Sequence, residues 1–234
     1  MKQKIKNKVV IVVDMINGFC KEGALHDKKI LNIVPDIKEI LETVPVEDRV
    51  FIVDAHEENA LEFKAFPKHC IKGTSEARVI DELTDYIPND DLGVPFVLLK
   101  NSTNAAWNFD FEYFAERYGT FEIVGCCTDI CVLQFALSLK TFLNAHNYDR
   151  KVIVPAYATA TYDIPKPESM TNGSPIINLL EEETCDSTRF HPAEEYHIMA
   201  LKMMDMAGIE VSWIKPEKRF TEIHSKNKEK ERGQ

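Results

Sequence analysis

Apolar residues along this chain fall into two alternating rhythms. Runs at 9–13, 50–53, 95–99, 121–124, 152–154 and 209–213 are three to five residues long and mostly apolar, as suits strands buried on both faces of a parallel sheet. Between them the apolar positions spread to a helical period. One set is Ile30, Ile33, Val34, Ile37, Ile40 and Leu41; another is Val132, Phe135, Ala136, Leu139, Phe142 and Leu143; a third is Ile198, Leu201 and Met204. The alternation predicts a three-layer α/β/α sandwich, with helices covering both faces of a central, mostly parallel, six-stranded sheet of Rossmann-like type.

Two stretches interrupt the rhythm. Residues 55–93 are too long for a simple crossover and are rich in His, Glu and Pro, and loops of that length in compact domains tend to carry function. Residues 160–188, with Pro165, Pro167, Asn172, Gly173 and Pro175, read as an irregular insertion before the last helix. Beyond Pro216 nearly every residue is charged or polar, so residues 216–234 cannot bury enough surface to order themselves and are expected to form a solvated tail. At 234 residues the chain suits a single domain over 1–215 followed by that tail, with no internal repeat.

Composition narrows the function by exclusion. With 44% hydrophobic and 28% charged residues a packed globular core is expected. A formal net charge of -10 argues against nucleic acid or an anionic membrane as partner, because both demand clustered positive charge, and it leaves small neutral substrates open. No apolar run approaches the roughly 18 residues of a membrane span, and MKQKIKNKVVIVVDM has no small-residue cleavage site, so a cytoplasmic location is expected. Homo-oligomerisation is left open. Six cysteines (Cys20, Cys70, Cys126, Cys127, Cys131 and Cys185) are irregularly spaced in a chain too large to depend on disulfides, which predicts reduced thiols.

Ligands of open parallel sheets bind beyond the carboxyl ends of the strands. The polar residues in those places are few: Asp14 after the first run, Asp54 and His56 after the second, Lys100 after the third, and Cys127 to Cys131 after the fourth, where a helix begins. A cysteine attacks as thiolate, and its pKa falls at a helix N-terminus or beside a cation. Cys131 has the helix and Lys100 offers the cation. Asp14 can accept the thiol proton and later return it to a departing amine, while the lysine keeps the acid ionised. The plainer alternative makes Asp14 a helix cap, Lys100 a surface charge and Cys131 a buried thiol packed like a small hydrophobe. Three such residues at three strand ends favour the Cys-Asp-Lys arrangement.

The blocks VVIVVDMINGFC, FVLLKNSTNAAW and FEIVGCCTDICVLQFAL resemble, in order, the three signature blocks of the cysteine hydrolase (isochorismatase-like) superfamily. That resemblance implies Asp14 as base, Lys100 as stabilising cation and Cys131 as nucleophile. It also implies an oxyanion hole made by the backbone N–H groups of Cys127 and Cys131, with the Cys126–Cys127 peptide cis. The chain departs from the first block at Ile16 and Gly18, where the family usually carries Gln and Asp.

After the second run the chain reads VDAHEENALEFKAFPKHCIKGT, which resembles the nicotinamidase metal motif of an Asp-x-His followed by an aromatic-Pro-x-His-Cys. Asp54, His56 and His69 are thereby candidate ligands of a divalent metal, with zinc the first choice and manganese or iron as alternatives. The third histidine that many nicotinamidases use between these motifs is missing. Among Glu57, Glu58 and Glu62, we assign Glu62 as fourth ligand because it lies six residues past His56, where the family's extra histidine commonly falls.

In nicotinamidases the metal binds the pyridine nitrogen and orients the carboxamide toward the thiol. The resemblance therefore implies metal-assisted hydrolysis of nicotinamide to nicotinate and ammonia in NAD salvage. Phe19, Phe66 and Trp107 resemble the family's substrate-stacking aromatics. Rival readings are an amidase of the same superfamily acting on another amide or a hydroxamate, an inactive binding protein, and a soft-metal or redox role for CCTDIC. The last lacks the paired CxxC spacing of a zinc knuckle.

Overall fold

The computed structural model describes residues 5–88, 97–165 and 190–215. The end of the long loop (89–93), the first two residues of the run at 95–99, most of the insertion (166–188) and the tail (216–234) lie outside the described residues. All six apolar runs coincide with strands: β1 Lys6–Val13, β2 Arg49–Asp54, β3 Val97–Lys100, β4 Tyr118–Cys126, β5 Lys151–Pro155 and β7 Glu210–Ser212. A seventh strand, β6 Thr159–Ala160, is too short for a periodicity argument to detect and pairs with the end of β4. The sheet runs β3-β2-β1-β4-β5-β7 and every described pair is parallel.

Side chains of β1 alternate between two cores. Val9, Ile11 and Val13 face one with Phe121, Ile123, Phe135 and Leu139, while Val10 and Val12 face the other with Ile37, Leu41, Phe51 and Val53. Both faces of a parallel sheet are thus covered, which is why its strands read as continuous apolar runs. Helices α3 Phe111–Arg117, α4 Leu133–Ala145 and α5 Ala193–Met206 cover the first face. The second lies under α1 Asn17–Cys20 and α2 Val34–Leu41. The result is a three-layer α/β/α sandwich.

Two helices differ in detail from their periodicity. The apolar stretch from Ile30 to Leu41 divides into a 3-10 helix, Lys28–Ile33, and α2, because Pro35 lacks an N–H and is tolerated only in the first turn of an α-helix. In α5 the buried residues are Ala200, Leu201 and Met204, while Ile198 is 36% exposed. A strict three-residue spacing drifts around a 3.6-residue helix, so the inward stripe includes Ala200 instead. No described helix is long and apolar enough to cross a membrane.

The strand ends are level where β1 meets its neighbours. Val13 is in register with Ile52 on one side and Gly125 on the other, and Asp54 with Lys100. Gly125 has φ 115, and a Cβ there would lie 2.1 Å from the Val13 carbonyl oxygen. Only glycine allows β4 to pass this close to β1 and carry the following cysteines over the sheet edge.

Candidate active site

Each polar residue at this edge is delivered by a strand end. Asp14 follows β1 with φ 51, a left-handed conformation held by Asp14 N–H donating to the Ile52 carbonyl at 2.9 Å and Ile16 N–H donating to the Asp14 carbonyl at 2.8 Å. Asp54 N–H donates to Asp14 Oδ1 at 2.8 Å. Lys100 Nζ lies 2.9 Å from both Asp14 Oδ2 and Asp54 Oδ1, and 3.7 Å from Cys131 Sγ. Asp14, Asp54 and Lys100 are at most 1% exposed and Cys131 3%. The competing surface-charge reading of Lys100 does not fit these contacts.

After β4 the Cys126–Cys127 peptide is cis, and a π-helical turn, Thr128–Val132, leads into α4. The Cys126 thiol donates to the Asp14 carbonyl at 3.0 Å, so the adjacent cysteine holds the backbone of the acid. All five described cysteines are free thiols, and Cys185 lies outside the described residues.

Burial decides the protonation pattern. It pushes Asp14 up to about 6 against the lowering pull of Lys100. It also drives the Cys131 thiol well above its ordinary range, with Lys100 opposing but not prevailing. Desolvation thus outweighs the cation at Cys131 and favours the protonated thiol over the thiolate. Burial opposes charge on Lys100 too, yet the surrounding anions, Asp14 foremost, hold it well above the usual lysine range. For Asp54, burial is outweighed by Lys100 and the neighbouring histidines, leaving it lowered. At neutral pH an ionised Asp14 thus faces a protonated thiol beside a fixed cation, the order of charges a proton transfer requires.

Beside this group, Asp54, His56, Glu62 and His69 each turn a donor atom to a common point, all within 4.8 Å of one another. His56 follows β2, Glu62 comes from the 3-10 turn Leu61–Lys64, and His69 from the end of the same loop. His56 Nε2 lies 3.1 Å from Asp54 Oδ1 and 3.6 Å from Glu62 Oε1, while His69 Nε2 lies 3.6 Å from Asp54 Oδ2. His56 Nε2 and Glu62 Oε1 are buried without an aligned hydrogen bond, and Asp54 Oδ1 is met by Lys100. Unpaired buried polar atoms are costly, and two imidazoles facing two carboxylates form a donor set that suits a divalent cation. Burial disfavours charge on His56, but the Asp54 carboxylate more than compensates and raises it. Glu57 and Glu58 are exposed, with Glu57 Oε1 3.8 Å from Lys72 Nζ.

A narrow pocket joins the two groups. Asp54, Glu62 and His69 line it together with Cys127 and Cys131. Phe19 and Phe66 line the pocket, and both pack against His69, at 5.7 and 6.2 Å between ring centroids. Trp107 does not join them. It is 81% exposed, because the turn Ala105–Trp107, capped by Asn104, points Ala105 inward and the indole out. The remaining aromatic wall is Tyr162, which the sequence reading passed over as part of the insertion. Phe63, packed on both His56 and His69, was also missed, although it stands in the quoted motif.

The departures at Ile16 and Gly18 have a local cause. Ile16 is fully buried and bridges Val79, while a Cβ on Gly18 would lie 2.4 Å from Cys70 Sγ. The loop that carries His69 and Cys70 packs directly on α1, and that contact leaves no room for a longer residue at 18.

Two further histidines hold the turn that bears Cys131. His191 Nε2 lies 2.7 Å from Asp129 Oδ2 and its Nδ1 2.8 Å from the Tyr162 carbonyl, with its ring stacked on Tyr162 at 4.1 Å. His197 Nδ1 lies 2.9 Å from Thr128 Oγ1. Burial would lift Asp129, but the His191 contact prevails and lowers it; burial likewise opposes charge on His191, which Asp129 raises. No spacing rule links positions some sixty residues apart, so only the fold reveals these contacts.

Comparison with known proteins bears on the fold and the family. The chain is similar to Nicotinamidase 1 of Arabidopsis thaliana, with 25% identity over 227 residues that cover 86% of this chain and 84% of the relative. Its fold matches the crystal structure of pyrazinamidase/nicotinamidase from Streptococcus mutans, with TM-score 0.64 and 22% identity over 88% of this chain and 99% of that one. It also matches the pyrazinamidase of Pyrococcus horikoshii in complex with zinc, with TM-score 0.59 and 20% identity over 89% of this chain and 100% of that one. The family model described as Isochorismatase domain matches residues 8–172, and on that match the chain belongs to the isochorismatase family of hydrolases.

Proposed function

We propose that this chain is a nicotinamidase, hydrolysing nicotinamide to nicotinate and ammonia with Cys131 as nucleophile and a divalent metal, zinc in the first instance, held by Asp54, His56, Glu62 and His69. The observation that carries the reading is that three of the four clustered residues, Asp54, Glu62 and His69, line the pocket that also holds Cys131. Phe19 and Phe66 on the pocket lining offer apolar surface to a flat heteroaromatic amide, whose ring nitrogen would turn to the ligand cluster and whose carboxamide would turn to Cys131. When bound, the metal supplies a Lewis-acid contact for that nitrogen.

The chemistry itself belongs to the strand-end residues. Asp14 takes the Cys131 proton as sulfur attacks the carboxamide carbon, and Lys100 balances the negative charge that Asp14 and Asp54 bring to the site. Backbone N–H groups of Cys127 and Cys131 hold the tetrahedral oxyanion. Asp14 returns the proton to the leaving amine, ammonia departs, and a nicotinoyl thioester remains on Cys131. Water, deprotonated by Asp14, then attacks the thioester; the proton returns to sulfur, and nicotinate is released. The reading serves NAD salvage in the cytoplasm.

Ammonia release measured across nicotinamide, pyrazinamide, isochorismate and carbamoyl compounds, before and after metal stripping, tests the proposal. Nicotinamide should be the preferred substrate, with turnover lost on prolonged chelation and restored by zinc, manganese or iron. An undiminished rate in fully stripped protein would remove the metal from the reading. Preference for a carbamoyl compound would replace the substrate.

A further inference from the structure

Residues 100–103 reach three of the four candidate ligands. Lys100 Nζ lies 2.9 Å from Asp54 Oδ1, Asn101 Oδ1 lies 3.3 Å from His56 Nδ1, and Thr103 N–H donates to Glu62 Oε2 at 2.9 Å. The fourth ligand, His69, is fixed from its own loop, with Nδ1 2.8 Å from the Pro67 carbonyl. The strand end that supplies the cation to Asp14 and Cys131 therefore also sets the ligand cluster.

A second contact of Asn101 identifies the atom that faces His56. Glu57 N–H donates to that same atom at 3.0 Å, and an N–H meets an acceptor, so the atom is the amide oxygen. That oxygen accepts from His56 Nδ1, which places a proton there. In the neutral ring Nε2 then keeps its lone pair, and Nε2 is the atom that faces Asp54 and Glu62. His69 obeys the same logic through the Pro67 carbonyl, which can only accept. Both imidazoles present Nε2 inward, as ligands oriented by a partner on the opposite nitrogen do.

We propose that Asn101 is a positioning residue of the metal site: it holds His56 in the orientation and tautomer that ligate, without touching the metal or the reacting atoms. The proposal rests on the metal reading given above and extends it to a residue outside the ligand set. Asn101 is an exposed residue, so its truncation opens no cavity in the core.

The test measures zinc binding to metal-free wild type, Asn101→Ala and Asn101→Asp by competition with a chromophoric chelator, alongside thermal unfolding with and without zinc. Asn101→Ala should bind zinc about 10–100-fold more weakly, the usual cost of losing a partner behind a ligating histidine. Asn101→Asp should recover most of that loss, because its oxygen still accepts from Nδ1. The metal-free proteins should unfold together, while zinc raises the unfolding temperature least in Asn101→Ala. Wild-type zinc affinity in Asn101→Ala, or an Asp variant as weak as the Ala variant, would overturn the proposal. Zinc affinity unchanged by His56→Ala and His69→Ala would instead overturn the metal reading itself, an outcome distinguishable from the first two.

Discussion

Asp54 and Lys100 are register partners at the ends of β2 and β3, and their side chains meet at 2.9 Å. Through this pair the ligand cluster and the Cys131 site share one carboxylate. Asp54→Asn removes the shared charge at nearly constant shape. Zinc occupancy by elemental analysis should drop, and nicotinamide turnover should fall about 100-fold or more. Full occupancy with wild-type turnover would show that the two groups are independent.

Cys131→Ala should abolish turnover while leaving fold and zinc content intact, since the thiol stands outside the four-residue ligand cluster. Cys126→Ser should be far milder, because a hydroxyl can still donate to the Asp14 carbonyl that the thiol reaches at 3.0 Å. Steady-state kinetics on both variants, with circular dichroism as the control, checks this. If Cys126→Ser were as damaging as Cys131→Ala, the three-cysteine cluster would need a direct chemical role.

Asp14, pushed up to about 6 chiefly by burial, must be ionised to act as base. Activity should therefore decline as pH falls through about 6 and below. A bound cation near Asp54 favours the carboxylate form, so the acidic limb of kcat/KM in metal-loaded protein should lie at or under that value. An acidic limb above pH 7 would assign the base elsewhere.

The His191–Asp129 pair makes a separate statement about stability. His191 is raised in the fold, so its contribution is complete below its unfolded value of 6.5 and fades as pH rises through the folded value. Asp129 is lowered, so its contribution is complete above its unfolded value of 3.8 and fades as pH falls through the folded value. The pair is fully formed between these limits. His191→Gln should cost about 1.5–3 kcal/mol near pH 6 and less toward pH 9. Thermal unfolding of both proteins across that range measures the difference; a pH-independent difference would mean that the charge pair contributes nothing.

Gly125→Ala should destabilise the protein by at least about 1–3 kcal/mol, because the new methyl group would meet the Val13 carbonyl oxygen at 2.1 Å. Denaturant unfolding gives the value directly. Wild-type stability would mean that β4 can move away from β1 without loss.

The order of strands and helices was legible in the sequence because a sheet covered on both faces needs continuous apolar runs, and 9–13 and 121–124, short and rich in β-branched or aromatic residues, suit adjacent buried strands. So were Asp14, Lys100 and Cys131, since an open sheet binds ligands at its carboxyl edge and few polar residues stand there. The sequence pattern also pointed to Glu62 over its neighbours, and the fold sets it beside His56 while Glu57 and Glu58 face outward. Other features had no local signature. Trp107 turns out of the pocket because a three-residue turn rotates each side chain to a different side, and Tyr162 takes a wall from an insertion with no periodicity. The protonation of Cys131 and Asp14 depends on how completely water is excluded, which spacing along the chain does not encode. His191 and His197 reach the turn that bears Cys131 from more than sixty residues away, and Asn101 meets both His56 and a backbone N–H of another loop. Periodicity determines which face of an element is buried; only the packing of elements decides which side chains meet.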